Sequence, residues 1–266
     1  MKTTVLFRKS LAEENEFNIC SKYLHTTESR INIENSLVIA KYSALPFYQE
    51  LENDLKLQGS KLINSYEQHL YLANINNWYI DLSNFTPQTW NNFIDIPKNV
   101  SGPFILKGNT NSRKALWKTH MFANSIEDAK RVFNNLLDDA MIGEQGVVVR
   151  KFENLINYGN DLVGIPISKE FRFFVLNNII ISGGFYWSNY IEDIGYIPDH
   201  KEVPIDFLNE VISCVGNKAN FYTIDVAQKI NGEWIVIELN DGQQSGLGCN
   251  DPEILYNNIK ENLCMT

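Results

Sequence analysis

The stretch FYTIDVAQKINGEWIVIELN, residues 221–240, decides the fold because it holds two β-rich runs joined by an Asn-Gly pair. Such a pair between two strand-like runs is the strongest short-range signal for a hairpin with a two-residue turn. When the strands are paired outward from Asn231 and Gly232, Asp225 lies directly opposite Glu238. Like charges at opposed positions destabilise a sheet. The pattern therefore requires something that stabilises two carboxylates at this place.

Three arrangements can stabilise the two carboxylates, and the residues alone leave them open. They are a shared proton, a neighbouring Lys or Arg, and a divalent cation bound by both. Asn240 lies two residues beyond Glu238 and therefore points to the same face of the strand. Oxygen ligands from Asp, Glu and Asn suit Mg²⁺ or Mn²⁺ better than zinc. A solvated surface is the plain alternative, but the apolar residues at alternate positions favour central strands.

Composition excludes several classes of protein. The chain has 266 residues, 44% of them hydrophobic, which is enough for one large domain or two small ones. A net charge of −9 disfavours a nucleic-acid surface, which needs clustered positive charge. No run approaches 18 apolar residues, so we expect no membrane span. Free thiols and a cytoplasmic location are expected because no CxxC pair occurs among the cysteines, Cys20, Cys214, Cys249 and Cys264.

Cationic residues recur at strand ends or within strands of this acidic chain. Each of them alone is more often an exposed charge, but together they indicate a site that binds phosphate groups. These cationic residues are Lys107, Arg113, Lys114, Lys118, Arg150, Lys151 and Arg172.

Strand and helix signals divide the chain into three parts. Residues 1 to about 95 alternate the two signals, which predicts a small α/β unit. A linker containing two prolines, residues 94–103, precedes a compact lobe of strand, loop, strand, helix and strand, with ALWKTHMF as its second strand. The remainder is mostly antiparallel, with a second hairpin turning at Asn177 and Asn178.

The order of these features resembles the ATP-grasp superfamily. The resemblance rests on GPFILKG, VVVRKFENL, EFRFFV and the YTIDV…VIELN pair, which is similar to the metal-binding strands of that superfamily. Other segments look most like the clade that contains the cell-division-cycle 123 proteins and the R2K group, namely SRKALW, YSALPFYQELE and TPQTW. One departure is GNTNSRKALWK, which is shorter and more basic than the usual glycine-rich loop.

The resemblance implies an ATP-grasp fold of mixed α/β and α+β type. A Rossmann-like pre-ATP-grasp unit, residues 1–98, would precede an ATP-grasp domain, residues 99–266, whose two α+β lobes, 99–153 and 154–266, enclose the nucleotide. The catalytic residues would be Lys107 and Arg172. The implied ATP contacts are Lys107, Arg113, Lys118, Arg150, Lys151, Phe152, Glu153 and Arg172. The implied ligands of Mg²⁺, or of Mn²⁺ in its place, are Asp225, Glu238 and Asn240.

The activity implied by the resemblance is that of an ATP-dependent ligase. It would join a carboxylate to an amine, or to a thiol, through an acyl phosphate, releasing ADP and phosphate. The substrates would be small molecules, amino acids or peptides, or a protein. The alternatives are an ATP-binding assembly factor for a protein complex and, less favoured, an RNA ligase. The chain lacks the KxDG motif of lysyl-AMP ligases, and its acidity disfavours nucleic acid as a partner.

Overall fold

The computed structural model describes residues 1–264, except for the side chain of Cys264. The chain begins with an α/β unit whose four strands are all parallel, in the order β2-β1-β3-β4. Its helices bury one face each, as α2 does with Leu51 and Leu55. The elements are β1 (Lys2–Leu6), α1 (Glu16–Tyr23), β2 (His25–Thr27), β3 (Ser36–Ile39), α2 (Tyr48–Leu57) and β4 (Lys61–Leu62).

Two helices connect this unit to the rest of the molecule, α3 (Tyr66–Ala73) and α4 (Ile75–Leu82). A capping box starts α3, because Ser65 accepts from the backbone of Gln68 while the Gln68 side chain accepts from the backbone of Ser65. Buried apolar side chains of both helices, Trp78 among them, belong to the largest hydrophobic core within residues 1–264, together with strands near the C-terminus. The domain boundary at residue 98 stays a prediction, and α3 and α4 lie on its N-terminal side.

The sheet of the first lobe has four antiparallel strands in the order β5-β8-β6-β7 and is covered by one helix. Its edge strand β5 lies before residue 99, where the predicted first lobe begins. Ser125 caps that helix by accepting from the backbone N–H of Asp128. The predicted strand ALWKTHMF was wrong for most of its length, since residues 114–121 form helical turns and only Phe122–Ala123 pair as a strand. The elements are β5 (Thr89–Trp90), β6 (Phe104–Gly108), β7 (Phe122–Ala123), α5 (Ile126–Leu137) and β8 (Val147–Lys151).

The second lobe contains a four-stranded antiparallel sheet in the order β12-β11-β13-β14. The predicted hairpin at Asn177 and Asn178 is confirmed, and both residues have the positive φ that a tight hairpin turn needs. The elements are β9 (Asn157–Asn160), β10 (Pro166–Ser168), β11 (Glu170–Leu176), β12 (Ile179–Phe185), α6 (Ile191–Ile194), α7 (Ile205–Val215), β13 (Phe221–Gln228), β14 (Trp234–Asp241) and α8 (Pro252–Cys264).

The turn between β13 and β14 differs from the predicted two-residue turn. Lys229 pairs with Glu233 through its backbone N–H, at 2.8 Å, so the loop holds three residues rather than two. Gly232 donates to the Lys229 carbonyl at 2.9 Å and has a φ of +92°. This is the three-residue hairpin in which a residue with positive φ closes the turn. Near the tip, the pairing is therefore shifted by one residue from the predicted register.

A β-bulge in β14 cancels that shift. Val226 pairs with Val236 and the next pair is Asp225 with Glu238, so Ile237 has no partner across the strands. One extra residue in β14 thus offsets the extra residue in the turn. The predicted pairing of Asp225 with Glu238 is confirmed, although the predicted turn was wrong.

Two expectations from composition concern the cysteines and membranes. Cys20, Cys214 and Cys249 are free thiols, and Cys20 is fully buried. The same expectation for Cys264 falls on a side chain outside the described residues. Within residues 1–264, no helix combines the length and apolar content needed to cross a membrane.

Candidate active site

The carboxylates of Asp225 and Glu238 lie opposite each other on the two strands that the sequence singled out. Asp225 is 1% exposed and Glu238 is partly exposed. Asn240 lies on the same face, and its amide nitrogen is 3.5 Å from a carboxylate oxygen of Asp225. The three side chains predicted as metal ligands are therefore close together on one face of the sheet.

Arg172 neutralises Asp225. The two residues are paired across β11 and β13, and the guanidinium forms a two-pronged contact of 2.8 and 2.7 Å with the carboxylate. A third nitrogen atom donates to the carbonyl of Gly246 at 2.9 Å. Burial opposes the charge of Arg172, but the adjacent carboxylate of Asp225 raises the pKa of the arginine above its ordinary value. The pair is a buried ion pair of the bidentate kind.

Lys107 neutralises Glu238 and connects the two lobes. It lies in β6 of the first lobe, and its ammonium group donates to a carboxylate oxygen of Glu238. Burial would raise the pKa of Glu238, but the charge and hydrogen bond of Lys107 hold that pKa at about 2. Of the three arrangements left open by the sequence, the structure therefore shows neighbouring cations, one for each carboxylate.

Arg150 is the second connection between the lobes. From β8 it donates to the carbonyl of Ile237 at 2.8 Å and to the hydroxyl of Thr86 at 2.6 Å. Burial lowers the pKa of Arg150 to about 10. The carbonyl that it contacts belongs to the bulged residue of β14, so the bulge also supplies the acceptor for this contact.

A cavity of about 320 Å³ lies between the two lobes. Its polar end holds Lys107, Arg150 and Glu238, and its wall includes the segment from Lys151 to Leu155 that joins the lobes. Apolar side chains line the rest, with Ile105, Met121, Trp117, Ile165 and Ile237 among them. A cavity with an apolar wall and a few converging charges is typical of a small-molecule site.

Of the cations in the loop after β6, Lys114 borders this cavity. Its ammonium donates to the hydroxyl of Tyr186 at 2.8 Å and lies 5.5 Å from the ring of Trp187. The indole N–H of Trp187, which also borders the cavity, is buried and has no hydrogen-bond partner among the described residues. Sequence reasoning noted Lys114 among the cations but did not place it at the site.

Arg113 and Lys118 lie elsewhere. Arg113 makes two contacts of 2.7 and 2.6 Å with Asp139. Lys118 lines a neighbouring groove beside Phe122 and Gly164. The conformation of the loop decides which cation faces the cavity, and the spacing of charges in the sequence does not encode it.

Glu170 is a further acidic residue at the cavity, and the sequence did not predict it as part of the site. It lies two residues before Arg172 in β11 and is 6% exposed, with the hydroxyl of Ser168 donating to it at 3.0 Å. Burial raises the pKa of Glu170 to about 7. Alternation along EFRFF, which puts Glu170 and Arg172 on the same face, is the signal that could have identified it.

The set of oxygen atoms fits a hard divalent cation together with phosphate groups. Within residues 1–264, no group of three or more His, Cys, Asp and Glu side chains could hold a metal ion. Asp225, Glu238 and Asn240 provide two carboxylates and one amide oxygen, and Mg²⁺ is usually bound by one or two carboxylates plus substrate phosphates. A carboxylate accepts about four hydrogen bonds or ligands, so the contacts with Arg172 and Lys107 leave oxygen lone pairs for an ion.

More than half of the chain is similar to a known protein family. The sequence model of a family described as ATP-grasp domain, R2K clade family 3, matches residues 95–259. No curated protein sequence matches the chain.

Solved structures share the whole fold at low sequence identity. An ATP-grasp RimK domain protein from Sphaerobacter thermophilus has 12% identity and a TM-score of 0.59, covering 98% of each chain. The ATP-grasp ligase PsnB, complexed with a minimal precursor, has 10% identity and a TM-score of 0.60 over 99% of each chain. The D-cycloserine synthetase DcsG has 9% identity and a TM-score of 0.59 over 98% of this chain and 99% of its own.

Proposed function

Because this chain belongs to the ATP-grasp domain family of R2K clade family 3, we propose that it is an ATP-dependent ligase that joins a carboxylate to an amine or a thiol. A carboxylate is a poor acylating agent because its leaving group is poor. Transfer of the γ-phosphoryl group from ATP to a carboxylate oxygen gives an acyl phosphate and ADP. The amine or thiol then attacks the acyl carbon, its proton is lost and phosphate leaves.

The nucleotide is proposed to lie in the cavity between the lobes. The backbone of Lys151, Phe152 and Glu153 would border the base, where the walls are apolar. The phosphates would lie at the polar end, near Lys107 and Arg172. Phosphoryl transfer needs positioning and positive charge more than covalent participation of the protein, and a cavity from which water is largely excluded strengthens each of these contacts.

The other cationic residues near the cavity have different proposed roles. Arg150 would act by holding the lobes together, since its guanidinium is engaged with Thr86 and Ile237. Lys114 is in position to contact the nucleotide because it borders the cavity. ATP contacts by Arg113 and Lys118 stay predictions, and Arg113 would first have to leave Asp139.

Asp225, Glu238 and Asn240 would hold Mg²⁺, with Mn²⁺ as a substitute. Bound there, the ion would supply charge neutralisation at the phosphates of ATP. Lys107 would donate both to Glu238 and to a phosphate, because an ammonium group has three donor hydrogens. Arg172 would hold the carboxylate of Asp225 in place through its two contacts.

The observation that carries the proposal is the contact of Lys107 with Glu238 at the polar end of one cavity between two lobes. Asp225 and Asn240 lie beside Glu238 on the same face of the sheet. The proposed substrates are amino acids or peptides, and a cytoplasmic location stays a prediction. PsnB, which shares the fold, is described as an ATP-grasp ligase complexed with a precursor.

An assay of nucleotide products tests the proposal. The protein is incubated with Mg²⁺, ATP and pooled amino acids and peptides, and nucleotides and ligated products are followed by mass spectrometry. We expect ADP, phosphate and a product that is heavier by the joined substrate less water, all lost in Glu238→Gln. Tight ATP binding without turnover would instead indicate an assembly factor, and AMP with pyrophosphate would contradict the acyl-phosphate route.

A further inference from the structure

Next to the proposed metal ligand Asn240 lies a carboxylate that is buried against the predicted N-terminal unit, residues 1–98, which includes α3. Asp241, the last residue of β14, is 3% exposed. It accepts hydrogen bonds from the hydroxyl of Tyr48 at 3.1 Å, the amide of Asn64 at 2.9 Å and Nδ1 of His69 at 3.0 Å. Tyr48 belongs to α2, Asn64 to the loop after β4 and His69 to α3. Three separate segments therefore converge on one side chain.

The backbone just after Asp241 is held by the same unit. Gln243 accepts from the backbone N–H of Ala40 through its side chain and from that of Tyr42 through its carbonyl, both at 2.8 Å. The buried ammonium of Lys41 donates to the carbonyl of Ser245 at 2.6 Å. Tyr42 has a φ of +59°, a conformation that a bulky residue rarely adopts. The surrounding contacts must therefore stabilise this turn against its backbone strain.

Asp241 cannot itself take part in the proposed reaction. Successive side chains of a strand point to opposite faces, so Asp241 points away from the face that carries Asn240 and Glu238. The groups of Tyr48, Asn64 and His69 that donate to it are all buried. The contact of Asn240 with Asp225, at 3.5 Å, is too long to fix the position of Asn240 strongly.

We propose that Asp241 is a positioning residue through which the N-terminal unit holds the proposed metal-binding end of β14 in place. The inference rests on the proposed function, because the metal site that Asp241 would support is part of that proposal. It assigns a second task to the unit that precedes the ATP-grasp lobes. The N-terminal unit completes the metal site by fixing the strand that carries Glu238 and Asn240, and it does so without contributing a ligand.

Two variants weaken the contact with little change of shape. His69→Phe keeps an aromatic ring stacked on Tyr48, whose ring centre is 4.3 Å from that of His69, but it lacks the donor to Asp241. Asp241→Asn keeps the size of the side chain and removes its charge. His69→Asn is the rescue variant, because an asparagine amide nitrogen can occupy the position of Nδ1.

The control is Ser60→Ala, a loss of buried hydrogen bonding within the same unit but away from Asp241. The Ser60 hydroxyl is buried and accepts from the backbone of Ser36 at 2.9 Å. Thermal unfolding of all variants measures the loss of stability. Mn²⁺ binding is then measured by electron paramagnetic resonance in the presence of ADP, at a temperature where every variant is folded.

We expect the Kd for Mn²⁺ to rise about tenfold or more in His69→Phe and Asp241→Asn, the size seen when groups that orient metal ligands are removed. We expect it to stay unchanged in Ser60→Ala and to recover in His69→Asn. Equal Kd values in all folded variants, or the same rise in Ser60→Ala, would overturn the positioning role. Should Asp241→Asn not fold, His69→Phe and its rescue decide the question. Absence of Mn²⁺ binding by the wild-type protein would overturn the proposed metal site itself, and this inference with it.

Discussion

Glu170→Gln is expected to make the protein more stable at alkaline pH and to leave its stability nearly unchanged at pH 4.5. The pKa of Glu170 is about 7 in the folded protein, against 4.5 for an ordinary glutamate, because burial penalises its charged form. A raised carboxyl pKa means that the folded state holds its proton more tightly than the unfolded state. The penalty is therefore absent below pH 4.5, grows between pH 4.5 and 7, and is complete above pH 7.

The size of the effect follows from the same two values. Since one pKa unit corresponds to about 1.4 kcal/mol, the ionisation of Glu170 lowers the free energy of unfolding by about 3 kcal/mol above pH 7. Glutamine is neutral throughout and can still accept from Ser168, which donates to Glu170 at 3.0 Å. Most of this free energy should therefore be regained in the variant at pH 8.

Urea unfolding of the wild-type protein and the variant at pH 4.5, 6 and 8 provides the measurement. The difference in the free energy of unfolding should rise from near zero to about 3 kcal/mol across that range. Glu192→Gln, at an exposed position of the same lobe, is the matched control and should show no such trend. A difference independent of pH, or one that grows towards acid pH, would refute the argument that burial dominates at Glu170.

Three further outcomes follow from the ion pairs and from one helix start. Asp225→Ala should destabilise the protein by about 3–5 kcal/mol in urea unfolding, because it leaves the guanidinium of Arg172 buried without its partner; the double variant with Arg172→Met should lose less, and an equal or greater loss would contradict the pairing. Lys107→Met should lower the free energy of unfolding by roughly 1–3 kcal/mol at neutral pH, and adding Glu238→Gln should restore part of it; strict additivity would show that the pair does not couple the lobes. Ser125→Ala should lower the melting temperature through a loss of about 1 kcal/mol, whereas Ser125→Asp, which retains an acceptor, should not.

The pairing of Asp225 with Glu238 could be predicted because short-range rules determine it, whereas the family and the ATP-grasp fold were predicted from the resemblance of an ordered set of motifs. Strand alternation and turn residues are local properties. The pairing of Asp225 with Glu238 was predicted correctly although the predicted two-residue turn was wrong. No local rule indicated that the extra residue of the loop would be offset by the bulge at Ile237.

The partners of the carboxylates could not be predicted, because they depend on which strands are neighbours. Arg172 contacts Asp225 since β11 lies beside β13, and Lys107 contacts Glu238 since two lobes face each other across the cavity. Arg113 and Lys114 are adjacent in sequence, yet one faces Asp139 and the other the cavity. No sequence pattern singles out His69, because its contact with Asp241 depends on how distant segments of the chain pack together.

The bulge at Ile237 separates the hairpin tip from Glu238 and Asn240, the proposed metal ligands. A change in loop length at residues 230–232 would normally shift the pairing of every later residue of β14 and turn Glu238 and Asn240, the proposed metal ligands, to the other face of the sheet. Here the strand beyond the bulge is registered by its own neighbours, with Arg150 anchored on the bulged carbonyl. The tip is therefore a place where we expect evolution, or an engineer inserting a label, to alter the chain while the proposed metal site is preserved.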